Sequence, residues 1–256
     1  MDTPNPLHDL VQEVRRLAIE SADPQRRTLS LSPEVAEMIQ SVEAPPRKDE
    51  KVAQLRAVQL EVRSCVKCPL HATRTQTVFG TGNPNAQVMF IGEAPGADED
   101  RQGEPFVGAA GQLLTQIIEK GMKLKRSDVY ICNVLKCRPP SNRDPRADEI
   151  AQCEPYLFRQ VDMIRPKVIC ALGAHAAHTL LRTSDSTSRL RGKWHFFRNI
   201  PLRVTYHPAY VLRCQDDEKR FKSEKRKVWD DIQAILRVLD GTEQPLSEPS
   251  TGNLLV

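Results

Sequence analysis

At 256 residues, with 37 Lys and Arg against 33 Asp and Glu and a net charge of +4, the chain has room for one sizeable domain with appendages. Its start, MDTPNPLHDLVQEVRR, has no apolar signal-like stretch and no run is apolar enough to span a membrane, so the seven cysteines read as reduced thiols of a cytoplasmic protein. Residues 1–50 carry ten acids and six bases, which leaves a net +8 on residues 51–256 and suits either a solvated basic face or a binder of phosphate backbone.

Residues 7–18 put Leu7, Leu10, Val11, Val14, Leu17 and Ala18 on one stripe, which predicts a short amphipathic helix, with a second over 33–41. EAPPRKDEK then reads as a linker, because paired prolines and charges pack no core. Residues 1–50 thus form an N-terminal extension for which the sequence identifies no partner. A core follows over 51–240, and the polar, proline-containing tail 241–256 is expected to be disordered. Within the core, apolar runs at 86–92, 128–135, 167–173 and 202–207 have the character of strands buried on both faces. Helical patterns at 111–122, 147–164, 174–182 and 217–239 separate or follow them. The alternation predicts a three-layer α/β/α sandwich around a central four-stranded parallel sheet. Sites in such folds lie at the carboxyl ends of the strands.

Four cysteines stand out. Cys65 and Cys68 form a Cys-x2-Cys pair followed by Pro69, and Cys137 and Cys153 are separated by fifteen residues. The close pair and the Cys-Pro step favour an iron–sulfur centre. A structural zinc, which usually takes both pairs at short spacing, and plain buried thiols are the alternatives. Cys132 and Cys170 lie in strand-like runs and read as small core residues; Cys214 stands outside the set. Basic residues cluster at 182–203, with six bases and one acid, and again from Arg213 to Lys227.

At the predicted strand exits sit Gly92, Glu93, Pro95 and Gly96 after the first strand, Asn133 late in the second and His207 after the fourth. The segments GEAPGADEDRQGEPFVGAAG, YICNVLKCRPPSNRDP and HPAYVL resemble the three signature regions of the family 4, iron–sulfur uracil-DNA glycosylases, over roughly residues 55–240. The resemblance implies hydrolysis of the N-glycosidic bond of deoxyuridine in single- or double-stranded DNA, releasing uracil and leaving an abasic site. Cys65, Cys68, Cys137 and Cys153 would hold a 4Fe-4S cluster of structural rather than redox role.

By the same resemblance, Gly92, Glu93, Ala94, Phe106, Asn133 and His207 would form the uracil pocket, with Glu93 and His207 catalytic. Glu93 would position or activate the attacking water, although Asp98, Glu99 and Asp100 follow closely and compete for that role. Phe106 would stack on a flipped base. The Asn133 amide would donate to uracil O4 and accept from N3–H, a pattern that cytosine reverses. His207 would stabilise the charge leaving on O2. Arg138 and Arg143, with Tyr210 and Arg213 after HPA, would contact DNA. A lyase would need a nucleophilic amine in the site, and no motif lysine offers one, with Lys136 beside Cys137 the nearest alternative. A monomer is expected. The alternative is a catalytically inactive or covalently trapping iron–sulfur uracil-DNA-binding protein; CRPPSNRDPR lacks the histidine that the trapping branch uses.

Overall fold

Val88–Gly92 (β2) and its neighbours are short, branched and apolar, and successive side chains point to opposite faces of one sheet. The computed structural model describes residues 48–245, so the helices expected at 7–18 and 33–41, and most of the tail, lie outside the described residues. The described chain runs α1 (Lys48–Arg63), β1 (Thr81–Gly82), β2, α2 (Ala97–Gln102), α3 (Ala109–Gln116), β3 (Tyr130–Asn133), α4 (Ala147–Ile164) and β4 (Val168–Leu172). It continues through α5 (Ala174–Leu181), α6 (Thr187–Leu190), β5 (Trp194–Phe197), β6 (Ile200–Thr205), α7 (Pro208–Leu212) and α8 (Glu218–Leu239).

The sheet has six strands in the order β1-β3-β2-β4-β6-β5. The four central strands pair in parallel, as the apolar runs predicted, but β1 and β5 add antiparallel edges. The expected four-stranded parallel sheet is therefore the centre of a six-stranded mixed one. Both edges escaped a reading based on apolar runs: β1 is a Thr-Gly pair, and every residue of β5 is half-buried. Helix α1 begins within the stretch read as a linker. Lys51 is buried there, and its Nζ donates to the carbonyl of Ile164 at the end of α4.

Met89, Ile91, Cys132, Ile169 and Val204 point to one face of the sheet, where they pack with Val58, Leu157, Val161 and Leu180 from α1, α4 and α5. Val88, Phe90, Ile131, Val168 and Cys170 point to the other face and pack with Leu114, Val228 and Ile232 from α3 and α8. Cys132 and Cys170 are fully buried core residues, as their apolar surroundings predicted. The helix expected over 111–122 holds regular geometry only to Gln116 and then widens over Ile117–Gly121, where Met122 N–H reaches the Ile117 carbonyl at 2.9 Å. Among the described residues, no helix is long and apolar enough to cross a membrane.

Candidate active site

The carboxyl ends of β2, β3 and β6 open on one cleft of about 390 Å³, lined by Glu93, Ala94, Pro95, Gly96, Phe106, Asn133, His207 and Arg213. Parallel pairing puts Gly92 opposite Asn133, and the register continues past the strands, with Val134 N–H on the Gly92 carbonyl at 2.9 Å and Leu135 N–H on the Glu93 carbonyl at 3.0 Å. Gly92 has to be glycine. A Cβ there would lie 2.4 Å from Asn133 Oδ1 and 2.5 Å from Phe106 Cζ. Asn133 is 2 % exposed, and its Oδ1 is buried with no hydrogen-bond partner. An unpaired buried acceptor costs on the order of 1–3 kcal/mol. At the wall of a cleft, it is suited to a ligand's N–H.

Phe106 sits at φ 55°, a backbone region that aromatic residues rarely adopt, so its surroundings must impose it. Arg126 Nη2 donates to the carbonyls of Pro105 at 2.7 Å and Phe106 at 3.0 Å. Glu99 accepts from the backbone N–H groups of Gly96, Val107 and Gly108 at 3.0, 2.9 and 3.0 Å, binding the two sides of the cleft mouth together. The Phe106 ring lies 5.6 Å from that of His207, tilted by 33°.

His207 precedes α7, and the N–H of Ala209 donates to its Nδ1 at 3.1 Å. A nitrogen that accepts carries no proton, which leaves Nε2 as the donor of a neutral ring. Burial, with help from the Arg213 charge, pushes the His207 pKa down to about 4 against the opposing pull of Glu99. The ring is therefore a neutral donor at physiological pH.

Four carboxylates competed for the water-activating role. Asp98 pairs with Arg101 at 2.5 Å, Glu99 is spent on three backbone donors, and Asp100 is buried and accepts from Thr75 N–H at 2.9 Å. Glu93 stands in the cleft, and burial raises its pKa. His175, which the sequence motifs did not single out, lies with Nε2 3.8 Å from Glu93 Oε2 and 3.8 Å from Asp144 Oδ2. Its charge when protonated lowers the Glu93 pKa, whereas Asp144 raises it. The missed signal was its place, three residues after the end of β4, at the same sheet edge as the other strand exits.

Of the expected DNA contacts, Arg213 lines the cleft. Arg143 also reaches it, but its guanidinium is held by Glu149 at 2.5 and 2.9 Å. Arg138 bonds Asn142 at 2.7 Å, and Tyr210 packs 4.8 Å from the Tyr206 ring. Lys136 does not line the cleft: its amine is buried against Asn133 O and Gln160. In the basic run 182–203, Arg182, Arg189, Arg191, Arg198 and Arg203 all form intramolecular ion pairs, but only Arg191 and Arg203 reach a buried acid, Asp231, and brace the fold; the other three pairs are mostly exposed.

Away from the cleft, Cys65, Cys68, Cys137 and Cys153 converge on one small cavity, walled also by Arg74, Lys136 and Tyr156. All four are free thiols. Burial raises the pKa of Cys68 and Cys137 and pushes Cys153 up to about 12. Arg74 donates to Cys137 Sγ at 3.2 Å, and Lys136 N–H reaches Cys153 Sγ at 3.2 Å. Four soft donors around one point, with hydrogen-bond donors aimed at two of the sulfurs, fit a thiolate-ligated metal centre. A second trio, Glu93, Asp144 and His175, brings its ligand atoms within 4.8 Å of one another, at the cleft rather than at the cysteines.

The fold and the cleft both belong to a known class. Residues 79–233 match the model of the uracil DNA glycosylase superfamily. A type-4 uracil-DNA glycosylase of Sulfurisphaera tokodaii is 45 % identical over 182 residues, 68 % of this chain and 83 % of that protein. Those of Archaeoglobus fulgidus and Thermotoga maritima are 46 % and 42 % identical over 176 and 170 residues, covering 66 % and 65 % of this chain and 88 % and 87 % of their own lengths. The chain belongs to the uracil-DNA glycosylase superfamily and, within it, to the type-4 family.

Proposed function

We propose that residues 51–240 form a monofunctional uracil-DNA glycosylase of base excision repair, acting as a cytoplasmic monomer on uracil-containing DNA. The observation that carries the reading is the pairing of an unpartnered, buried Asn133 Oδ1 with a neutral His207 whose tautomer leaves Nε2–H free, both on one cleft. Asn133 reads the base: its carbonyl accepts from uracil N3–H and its amide donates to O4. Phe106 stacks on the flipped ring, and Gly92 leaves room for the Phe106 and Asn133 side chains that form the pocket. Ala94 and Pro95 close the wall.

As the glycosidic bond lengthens, negative charge collects on uracil N1 and O2, and Nε2–H of His207 stabilises it. Loss of such a donor typically costs about 10²–10³ in rate. The Glu93 carboxylate faces the developing positive charge of the sugar and holds the attacking water. The buried Lys136 amine supplies no lyase nucleophile, which supports simple hydrolysis. Arg213, Tyr210, Arg138 and Arg143 contact the DNA, with Arg143 also bracing its loop through Glu149.

Cys65, Cys68, Cys137 and Cys153 hold a 4Fe-4S cluster. Bound there, it supplies structural cross-linking; these cysteines join the segment after α1 to the exit of β3 and to α4. Residues 1–50 are an accessory extension and 241–256 a tail.

Substitution Asn133→Asp tests recognition. It places an acceptor where uracil O4 sits, so uracil excision should fall by orders of magnitude, because sites built on a hydrogen bond reject mismatched analogues strongly. Rates on matched uracil and cytosine oligonucleotides give the measure. An unchanged uracil-to-cytosine ratio would remove Asn133 as the reader.

A further inference from the structure

Lys136 carries an ammonium group in the interior with only 1 % of its surface exposed. Its Nζ donates to the backbone carbonyl of Asn133 at 2.7 Å and to Gln160 Oε1 at 2.6 Å, and neither partner is a carboxylate. Gln160, fully buried itself, is fixed from its other end, where Nε2 donates to the Phe79 carbonyl at 2.9 Å and to the Tyr130 hydroxyl at 3.1 Å. The rest of Lys136 is committed elsewhere. Its N–H reaches Cys153 Sγ at 3.2 Å, its carbonyl accepts from Val78 N–H at 2.8 Å, and Cys137 is the next residue.

Burying an ammonium group without a counter-ion is unfavourable, and a methionine of similar length would fill the same space without that cost. A lysine here makes sense for what it holds. The peptides that follow Asn133 turn sharply out of β3, with Val134 N–H and Leu135 N–H tied to the Gly92 and Glu93 carbonyls. The Lys136 side chain fixes a further group of that turn, the carbonyl of Asn133 itself. The Asn133 side chain projects from the same residue into the cleft.

We propose that Lys136 is a positioning residue for base recognition, joining the four-cysteine centre to Asn133 through a single residue; the role rests on the reading of Asn133 as the uracil reader. Without Lys136, the Asn133–Val134 peptide keeps only its Val134 N–H bond to the Gly92 carbonyl, and the Asn133 amide shifts relative to Phe106 and His207. Displacements of about 1 Å at such a site cost on the order of 10²-fold.

The test compares the metal-loaded wild type with Lys136→Met and Gln160→Met. Free-uracil binding by calorimetry and the uracil-to-cytosine excision ratio are read beside visible absorption, thermal unfolding and affinity for undamaged DNA. Lys136→Met should weaken uracil binding at least tenfold and lower the ratio at least tenfold, while affinity for undamaged DNA stays within twofold. Gln160→Met, which keeps the amine but removes its anchor, should weaken uracil binding about threefold. If either folded variant binds uracil as the wild type does, the proposal is overturned, and Gln160→Met decides the matter should Lys136→Met fail to fold. A wild type that binds no uracil would instead sink the reading of Asn133 itself.

Discussion

Glu93 and His207 face the same cleft, yet burial moves both toward neutrality and only one of them suits its task in that form. His207, held down to about 4, is neutral across the working range, and its Nε2–H acts at full strength. In the proposed mechanism Glu93 acts as a carboxylate, and burial raises its pKa above the ordinary 4.5. The group is active when ionised, so excision should fall as the pH drops through this raised value. The single-turnover rate should therefore show an acid limb above pH 4.5 that disappears in Glu93→Gln. Protonated His175 favours the Glu93 carboxylate, so His175→Phe should move the limb to higher pH. Superimposed profiles would show that His175 does not act on Glu93. Glu93, Phe106, Asn133 and His207 were legible because each falls at a strand exit or within a long motif. His175 was not, since AHAAH reads as an ordinary helix start until the exit of β2 and the 137–146 loop bring Glu93 and Asp144 beside it.

The turn that carries Phe106 is over-determined by its neighbours. Glu99 clamps it from α2, Arg126 from the segment before β3, and Gly111 of α3 lies so close that a Cβ would sit 1.9 Å from the Phe106 carbonyl oxygen. Gly111→Ala should therefore push the Phe106 turn outward. Overpacking of this kind costs about 1–3 kcal/mol in stability, and the excision rate should fall at least tenfold as the stacking ring moves. A melting curve and a single-turnover rate check both; unchanged values would mean the turn yields freely. The four parallel strands and α4, α5 and α8 were legible because burial on two faces, or on one stripe, leaves a strong periodic record. Helix α1 left a weak one: its sequence, KDEKVAQLRAVQLEVR, is mostly polar and buries only a narrow edge, and it starts beside two prolines. The edge strands left none, because Thr81–Gly82 is too short for a pattern.

On the scale of the whole molecule, the basic surplus splits into two uses that composition alone does not separate. Arg191 after α6 and Arg203 on β6 converge on the fully buried Asp231 of α8, whereas Arg213 faces the cleft. The four cysteines likewise come together from distant segments of the chain. Purified protein should be brown, with broad absorption near roughly 400 nm. Cys137→Ser should lower yield and melting temperature before it lowers intrinsic chemistry, because metal-binding energy is partly folding energy. Colourless protein containing stoichiometric zinc would contradict the iron–sulfur assignment. The central claim is that this cleft recognises and releases uracil. Its most direct test is the release of free base from matched oligonucleotides carrying a single deoxyuridine or deoxycytidine, with His207→Ala run in parallel. The account predicts free uracil and an abasic strand from the first substrate only, with the variant about 10²–10³-fold slower. Failure to release uracil, or an equal rate for the wild type and His207→Ala, would contradict it.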